Sequence, residues 1–313
     1  MRRTLSRVLR SVVLAASRSP RVKALVSHAP VSRGVVRRFV AGESTEDAVR
    51  ASRELERAGL LVTLDHLGED TTEPGQAEAT VKAYLTLLHR LRDEGLAGGA
   101  EVSVKLTAVG LDIDRALAVA NAGRIVEAAR DAGTTVTLDM EGSAVTDATL
   151  SVLAELRAQE PSVGAVLQAM LRRTEADCRD LATAGSRVRL CKGAYREGPD
   201  VAFTARADVD ASYARCLGVL MAGPGYPMVA THDPALIALA ERLVLATGRA
   251  ADSYELQLLF GIRPDEQRRL AGAGHRVRVY TPYGDEWYGY LMRRLAERPA
   301  NLVFFARALA SRS

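Results

Sequence analysis

The segment Val279–Glu297, VYTPYGDEWYGYLMRRLAE, changes its period halfway along. Its first half is β-branched and aromatic and leaves through a Pro-Tyr-Gly turn, as the end of a buried strand does. Its second half predicts a helix beginning near Asp285, an acidic residue suited to a helix start. At 100° per residue, Tyr290, Arg293, Arg294 and Glu297 share one face, with Glu286 and Trp287 on the same side. Tyr288, Leu291, Met292 and Leu295 form the opposite, apolar stripe. One side is therefore built to pack, and the other carries two adjacent guanidiniums among aromatic rings. Such a pair suits a planar anion, because the guanidinium fork engages a carboxylate bidentately and stacks on rings. The competing reading is a solvated face of Glu–Arg pairs. Position favours the first: if the preceding strand closes a barrel, this helix starts at the strand's C-terminal end, where barrel enzymes keep their chemistry.

Working back from that segment, the same alternation recurs. Short runs appear at Leu60–Asp70, Glu101–Gly110, Thr134–Gly142, Ser162–Met170, Ser186–Tyr195, Tyr226–Asp233, Asp252–Gly261 and Arg276–Gly284. Helix-period segments separate them, near Glu78–Asp93, Ile113–Ala132, Asp147–Ala158, Thr174–Ala184, Asp208–Met221, Pro234–Thr247 and Asp265–Ala273. A further helix precedes the first run, with Ser44 as its cap, Asp47 three residues on and an end near Arg57. Near-continuous apolar runs suit strands buried on both faces of a parallel sheet. Eight βα units over roughly 250 residues predict a distorted (β/α)8 TIM-type barrel rather than an open doubly wound sheet. No linker or internal repeat divides it, so the expected organisation is a basic helical N-terminal arm over 1–43 and a catalytic barrel over 44–313.

The 313 residues are 48% hydrophobic and 26% charged, an ordinary globular composition with a net charge of +4. No Asp or Glu precedes Glu43, while Arg2, Arg3, Arg7, Arg10, Arg37 and Arg38 are among the cations of that stretch. With aromatics at 5% and no interleaving of rings and bases, nucleic acid is not an expected partner. The basic arm could meet anionic lipid or a partner instead. Residues 1–17 share the composition of a transit peptide, but positive charge continues to Arg38, which favours an arm. Cys178, Cys191 and Cys216 are odd in number and widely spaced, which implies a reducing, cytoplasmic setting and no structural metal.

Polar residues end nearly every run: Asp65 and His66, Lys105, Asp139, Gln168, Arg189 and Lys192, Thr231 and His232, Glu255 and Gln257, Tyr280. One alone is a satisfied core polar group; a whole set predicts a shared polar pocket at the barrel mouth. On residue types, several chemistries stay open. Lys105 or Lys192 could form a Schiff base in an aldolase-type barrel. His66, His232 and Asp233 are a thin metal set, without a third strand-end histidine. A non-catalytic binding barrel would need fewer ionisable groups. No GxGxxG follows a strand, so a Rossmann domain is not supported.

The ordered blocks VSVKLTAVG, TLDMEG, VLQAML, RLCKGAYRE, ATHDP, ELQLLFGIR and VRVYTPYGDEWYGYLMRRLAERPAN resemble the proline dehydrogenase family, in its monofunctional bacterial form, as does RRFVAGES at Arg37–Ser44. The resemblance implies oxidation of L-proline to Δ1-pyrroline-5-carboxylate, with hydride passing from proline C5 to N5 of FAD and electrons leaving to a membrane quinone. With such an acceptor, the basic arm could dock the chain peripherally on the inner face of the cell membrane, and a separate pyrroline-5-carboxylate dehydrogenase is expected to finish the oxidation. Arg293 and Arg294 would clamp the proline carboxylate with Lys105 as a third cation. Tyr280, Tyr290 and Leu259 would wall the ring, Glu297 would orient the arginines, and Asp139, with Arg189 one of the two expected catalytic residues, would support Lys105 and the substrate end. Met140, Gln168, Arg189, Lys192, Gly193, Ala194, Thr231 and His232 would hold FAD. Within that set Arg189 is expected beside flavin N5, Lys192 with the Gly193-Ala194 backbone at ribityl or pyrophosphate oxygens, and Tyr283 at the pocket mouth.

Overall fold

A strand sends successive side chains to opposite faces, and in this chain the two faces differ in chemistry. The computed structural model describes residue 36, residues 38–68 and residues 71–297, with residues 293–297 as backbone only. The strands are β1 (Leu61–His66), β2 (Ala100–Val104), β3 (Val136–Leu138), β4 (Gly164–Gln168), β5 (Arg187–Cys191), β6 (Tyr226–Ala230), β7 (Glu255–Leu259) and β8 (Val277–Tyr283). They form a closed, all-parallel barrel in sequence order. Closure comes from β1 against β8, in register from Leu61↔Arg278 to His66↔Tyr283.

A helix α1 (Thr45–Arg57) precedes β1, and one helix follows each strand: α2 (Pro74–Asp93), α3 (Arg115–Ala132), α4 (Thr146–Arg157), α5 (Thr174–Leu181), α6 (Arg206–Ala222), α7 (Pro234–Thr247), α8 (Pro264–Gly272) and α9 (Trp287–Glu297). Their starts follow local chemistry. Ser44 and Asp47 close a reciprocal capping box on α1. Asp114 and Asp233 accept from Leu117 N and Ala235 N, each at 3.1 Å, to cap α3 and α7. Helix α9 begins two residues later than Asp285 suggests, because Gly284, Asp285 and Glu286 are used in the turn. No helix among the described residues is long and apolar enough to cross a membrane.

The helix-facing positions of the strands are apolar. Val62, Leu64, Val102, Val104, Val136 and Leu138 pack under α2 to α4, and Val188, Leu190, Val229, Leu256, Leu258 and Val279 under the later helices. Each such side chain contributes about 1.5–3 kcal/mol on burial. The other face corrects the expectation of strands apolar on both sides. Thr63, Asp65, Glu101, Ser103, Arg189, Glu255, Gln257 and Arg278 are buried, and they bond across the barrel interior.

Residues 38–43 lie along the closing edge. Ala41 N donates to Pro282 O at 2.9 Å, and Gly284 N donates to Gly42 O at 3.0 Å. Trp287 Nε1 donates to Glu43 Oε1 at 2.9 Å, tying this strap to the start of α9. The strap passes so close to Gly261 (φ +69°) that a Cβ there would sit 1.6 Å from the Arg38 carbonyl oxygen. Within the strap, Phe39 and Val40 are buried. The rest of the basic arm lies outside the described residues.

Candidate active site

The C-terminal mouth gathers residues from separate strands because β1, β2, β3, β5 and β8 each carry a polar side chain at or near the C-terminal end. Lys105, just past β2, places Nζ 2.8 Å from both oxygens of Asp65 on β1. The same Nζ is 3.6 Å from Asp139 Oδ2, just past β3. Asp139 Oδ1 accepts from Arg189 Nη1 at 2.9 Å and from Ser103 Oγ at 2.7 Å. Its other oxygen accepts from Tyr280 on β8 at 2.6 Å. Burial pushes the Tyr280 phenol well above its usual range, Asp139 adding to the effect, so it stays a donor. The Tyr280 ring lies 5.2 Å from Arg189 Cζ, and this stack fixes the plane of the guanidinium.

Below this cluster the ion pairs continue to the barrel floor. Arg189 Nη2 donates to Glu101 Oε1 at 2.8 Å. Glu101 also receives Arg187 Nη2 at 2.6 Å and lies 4.0 Å from Arg278 Nε, which is 2.8 Å from Glu255. The chain Asp65–Lys105–Asp139–Arg189–Glu101–Arg278–Glu255, with Arg187 as a branch, thus joins four cations to four carboxylates. Burial alone would raise the Glu101 carboxyl, but Arg278, Arg187 and Arg189 together hold it well below the usual range. Asp139 is depressed for the same reason, burial being outweighed by Lys105 and Arg189. At Asp65 burial wins and the carboxyl is raised, Lys105 opposing.

The expected cofactor residues occupy the ends of β3 to β6. Gln168 Nε2 donates to Glu141 O at 2.7 Å, close to buried Met140. Lys192 bonds Asp210 and, at 2.9 Å, Asp233, with Arg206 3.3 Å from the same Asp233 oxygen. Thr231 Oγ1 accepts from Asp233 N at 3.1 Å, and His232 Nε2 accepts from Leu259 N at 2.9 Å. That second bond places the imidazole proton on Nδ1. Gly193 has φ +103°, and a Cβ there would lie 2.5 Å from Met170 Sδ; the close approach that demands glycine is to Met170. Ala194 is exposed beside it. Among the described residues no group of three or more His, Cys, Asp or Glu could hold a metal.

Helix α9 leaves the mouth directly after β8, with Trp287, Tyr288, Tyr290, Leu291 and Met292 buried. Tyr290 is thus packed rather than solvated. The side chains of Arg293, Arg294 and Glu297 lie outside the described residues. Two strand-end assignments are corrected. Glu255 begins β7 and belongs to the floor network, two steps of the pleat below the mouth. Tyr283 points outward, fully buried against the His66 ring 5.1 Å away, because it is odd-stepped from inward-facing Tyr280. The reading from residue types gave no role to Glu101, Ser103 or Arg278, nor a partner role to Asp65. Their signal was charge or hydroxyl at steps of two inside strands: Glu101-Ser103-Lys105, Arg187-Arg189 and Arg276-Arg278.

One buried donor tests what this mouth accepts. Arg189 Nε is enclosed without a hydrogen-bond acceptor, although both its terminal nitrogens are engaged. A planar heteroaromatic ring with acceptor nitrogens fits that demand.

The sequence model of the family described as proline dehydrogenase matches residues 48–307. Proline dehydrogenase 1 of Bacillus subtilis is 37% identical over 273 residues, covering 87% of this chain and 90% of its own. Proline dehydrogenase of Deinococcus radiodurans is 37% identical over 312 residues, covering 97% of this chain and 99% of its own. Among solved structures, proline utilization A (PutA) from Bdellovibrio bacteriovorus inactivated by N-propargylglycine aligns with a TM-score of 0.77 at 26% identity. That alignment covers 84% of this chain, which spans 32% of the longer protein. A closed parallel barrel, a charged mouth and these likenesses over most of its length lead to one assignment: the chain belongs to the proline dehydrogenase family.

Proposed function

We propose that this enzyme oxidises L-proline to Δ1-pyrroline-5-carboxylate using FAD and passes the electrons to a quinone. When bound, FAD supplies a hydride acceptor, N5, for proline C5. The carrying observation is the enclosed Arg189 Nε within a cluster that already satisfies its other nitrogens. A fixed cation there favours an electron-rich reduced ring.

The remaining roles belong to the chain's own groups. Arg293 and Arg294 would grip the substrate carboxylate, with Glu297 orienting them and Lys105 adding its charge from the strand side. Lys105 is kept in place by Asp65 and Asp139, which makes it a pre-aimed cation rather than a mobile one. Tyr280, Tyr290 and Leu259 would exclude water from the apolar ring. Gln168, Met140, Thr231 and His232 would border the isoalloxazine, and Lys192, with the Gly193-Ala194 backbone, would meet the ribityl and phosphate oxygens. Arg206, which shares Asp233 with Lys192, would join it there. The Schiff-base alternative is weaker, because Lys105 donates to both oxygens of Asp65, and Lys192 to Asp210 and Asp233.

The basic arm would dock the enzyme on anionic lipid near its quinone, and a separate pyrroline-5-carboxylate dehydrogenase would take the product. Reconstitution with FAD should give flavin absorbance that bleaches anaerobically on adding L-proline. A folded chain that takes up no flavin, yet is trapped by borohydride with a carbonyl substrate, would replace this reading with the lysine one. Deleting residues 1–30 should weaken binding to anionic liposomes; unchanged binding removes the docking role.

A further inference from the structure

We propose that Glu101, on the barrel floor, is the positioning residue for Arg189: it holds one edge of the guanidinium and tempers its charge. The purpose assigned to that charge rests on the flavin reading above, whereas the hold itself does not. Four acceptors or rings surround Arg189. Nη1 is shared by Asp139 at 2.9 Å and Ser103 at 2.9 Å, Nη2 meets Glu101 at 2.8 Å, and the Tyr280 ring covers the plane. Asp139 and Ser103 are bonded to each other, so they form one anchor point, and a guanidinium held at one point can pivot. Glu101 supplies the second point. With both in place, Nε is the nitrogen left to a ligand.

Glu101 is built for this task. It is fully enclosed, and its oxygens are themselves fixed by hydroxyls, Thr63 Oγ1 donating at 2.7 Å and Thr137 Oγ1 at 3.2 Å. It is also the node at which Arg187, Arg189 and Arg278 converge, so it divides one negative charge among three cations. Arg189 consequently presents less than a full positive charge at the mouth. Replacing Glu101 by Gln keeps an acceptor for Arg189 but turns an amide donor toward Arg187, and it changes the balanced network by one unit of positive charge. A buried change of that kind is felt further than one at the surface.

The test uses the full-length chain in two states. In the cofactor-free chain, 15N-arginine NMR follows the Arg189 Nε–H signal, assigned by its loss in Arg189→Lys. Glu101→Gln should exchange that proton with solvent at least tenfold faster; unchanged exchange overturns the hold. In the FAD-loaded chain, Glu101→Gln should favour the two-electron reduced flavin about tenfold, a rise of about 30 mV. The balanced double variant Glu101→Gln/Arg187→Met should return the potential toward that of the parent. An unchanged or lowered potential in the single variant, or no return in the double, overturns the tempering. Should Glu101→Gln fail to fold, Arg187→Met alone leaves more of the Glu101 charge for Arg189, so the potential should fall; no shift overturns it. A chain that binds no flavin defeats the proposed function, while the exchange measurement still decides the role of Glu101.

Discussion

The floor of the ion network offers a direct test of how the barrel is held together, at a place remote from the mouth. Arg278 donates to Glu255 at 2.8 Å and to the Val62 carbonyl at 2.8 Å, and both side chains of the ion pair are buried. Among the described residues, Arg278→Met removes the only cation within 4 Å of Glu255, leaving that carboxylate with the Tyr226 and Gln257 donors. Breaking a buried pair by removing one partner costs about 3–5 kcal/mol, because the survivor has lost its solvation and gained nothing. Against a total stability of roughly 5–15 kcal/mol, that is a large fraction.

The second half of the test is the double variant. Arg278→Met/Glu255→Gln removes both charges, and Gln at 255 can still accept from Tyr226. Since buried pairs replaced together are close to neutral, the double variant should be more stable than Arg278→Met by about 2 kcal/mol or more. Urea unfolding at 25 °C, with all variants at equal m-value, measures it. Two results would refute the reasoning: a cost below about 1 kcal/mol for Arg278→Met, or a double variant less stable than the single. The first would mean that water reaches the floor. The second would mean that Arg278 acts through packing and its bond to Val62 rather than through charge.

Three other perturbations probe different parts of the molecule. Arg294→Met should raise KM for proline by at least about tenfold, since a clamped carboxylate loses a charge-assisted pair worth about 2–5 kcal/mol; an unaltered KM would place the carboxylate elsewhere. Glu101 and Asp139 have folded pKa values below their unfolded ones near 4, so their stabilisation is complete above that range and is lost as pH falls through the folded values. Thermal midpoints should therefore drop as pH is lowered below about 4, and Glu101→Gln should flatten that fall; Asp65, whose carboxyl is raised, works in the opposite sense as pH rises. Gly261→Ala should cost about 2 kcal/mol or more, because its Cβ would fall 1.6 Å from the Arg38 carbonyl and φ +69° adds strain; unchanged unfolding would show the strap is not held there.

What the sequence made legible was the succession of elements, because a change of hydrophobic period is local. The capping box at Ser44 and Asp47, the proline start of α7 and all eight strands could be read from neighbours a few residues apart. The mouth was legible in part for a different reason: a Lys, Asp or Arg at the end of an apolar run is costly unless partnered, so Lys105, Asp139 and Arg189 stand out one at a time. Which of them touch was not legible. The pairs Arg189–Glu101 and Tyr280–Asp139 join residues 88 and 141 positions apart, and only barrel closure brings them together. Glu255 went to the wrong end because a run of apolar letters does not reveal where along it the strand begins, and Glu255 is the first residue of β7. Tyr283 was misplaced because a shift of one residue changes the face a strand side chain takes.

Those errors share a cause that also explains the architecture. Barrel interiors are usually packed with branched apolar side chains, and charge inside one is normally a liability. Here most apolar strand residues lie on the helix-facing side, and the interior carries an ion-pair chain from Glu255 on the floor to Asp65 at the rim, with Val166 and Met228 beside Arg189. Such a chain adds little net stability over a packed apolar core, so stability is a poor account of it. A better account is that Lys105, Asp139 and Arg189 must be held without rotamer freedom at a mouth where an apolar layer could offer them no partners. Each needs a counter-charge beneath it, each counter-charge needs its own partner, and the requirement propagates down the barrel until Arg278 and Glu255 end it. On this view the floor is conditioned by the chemistry at the mouth, and a variant that makes the floor apolar should fold while loosening Arg189.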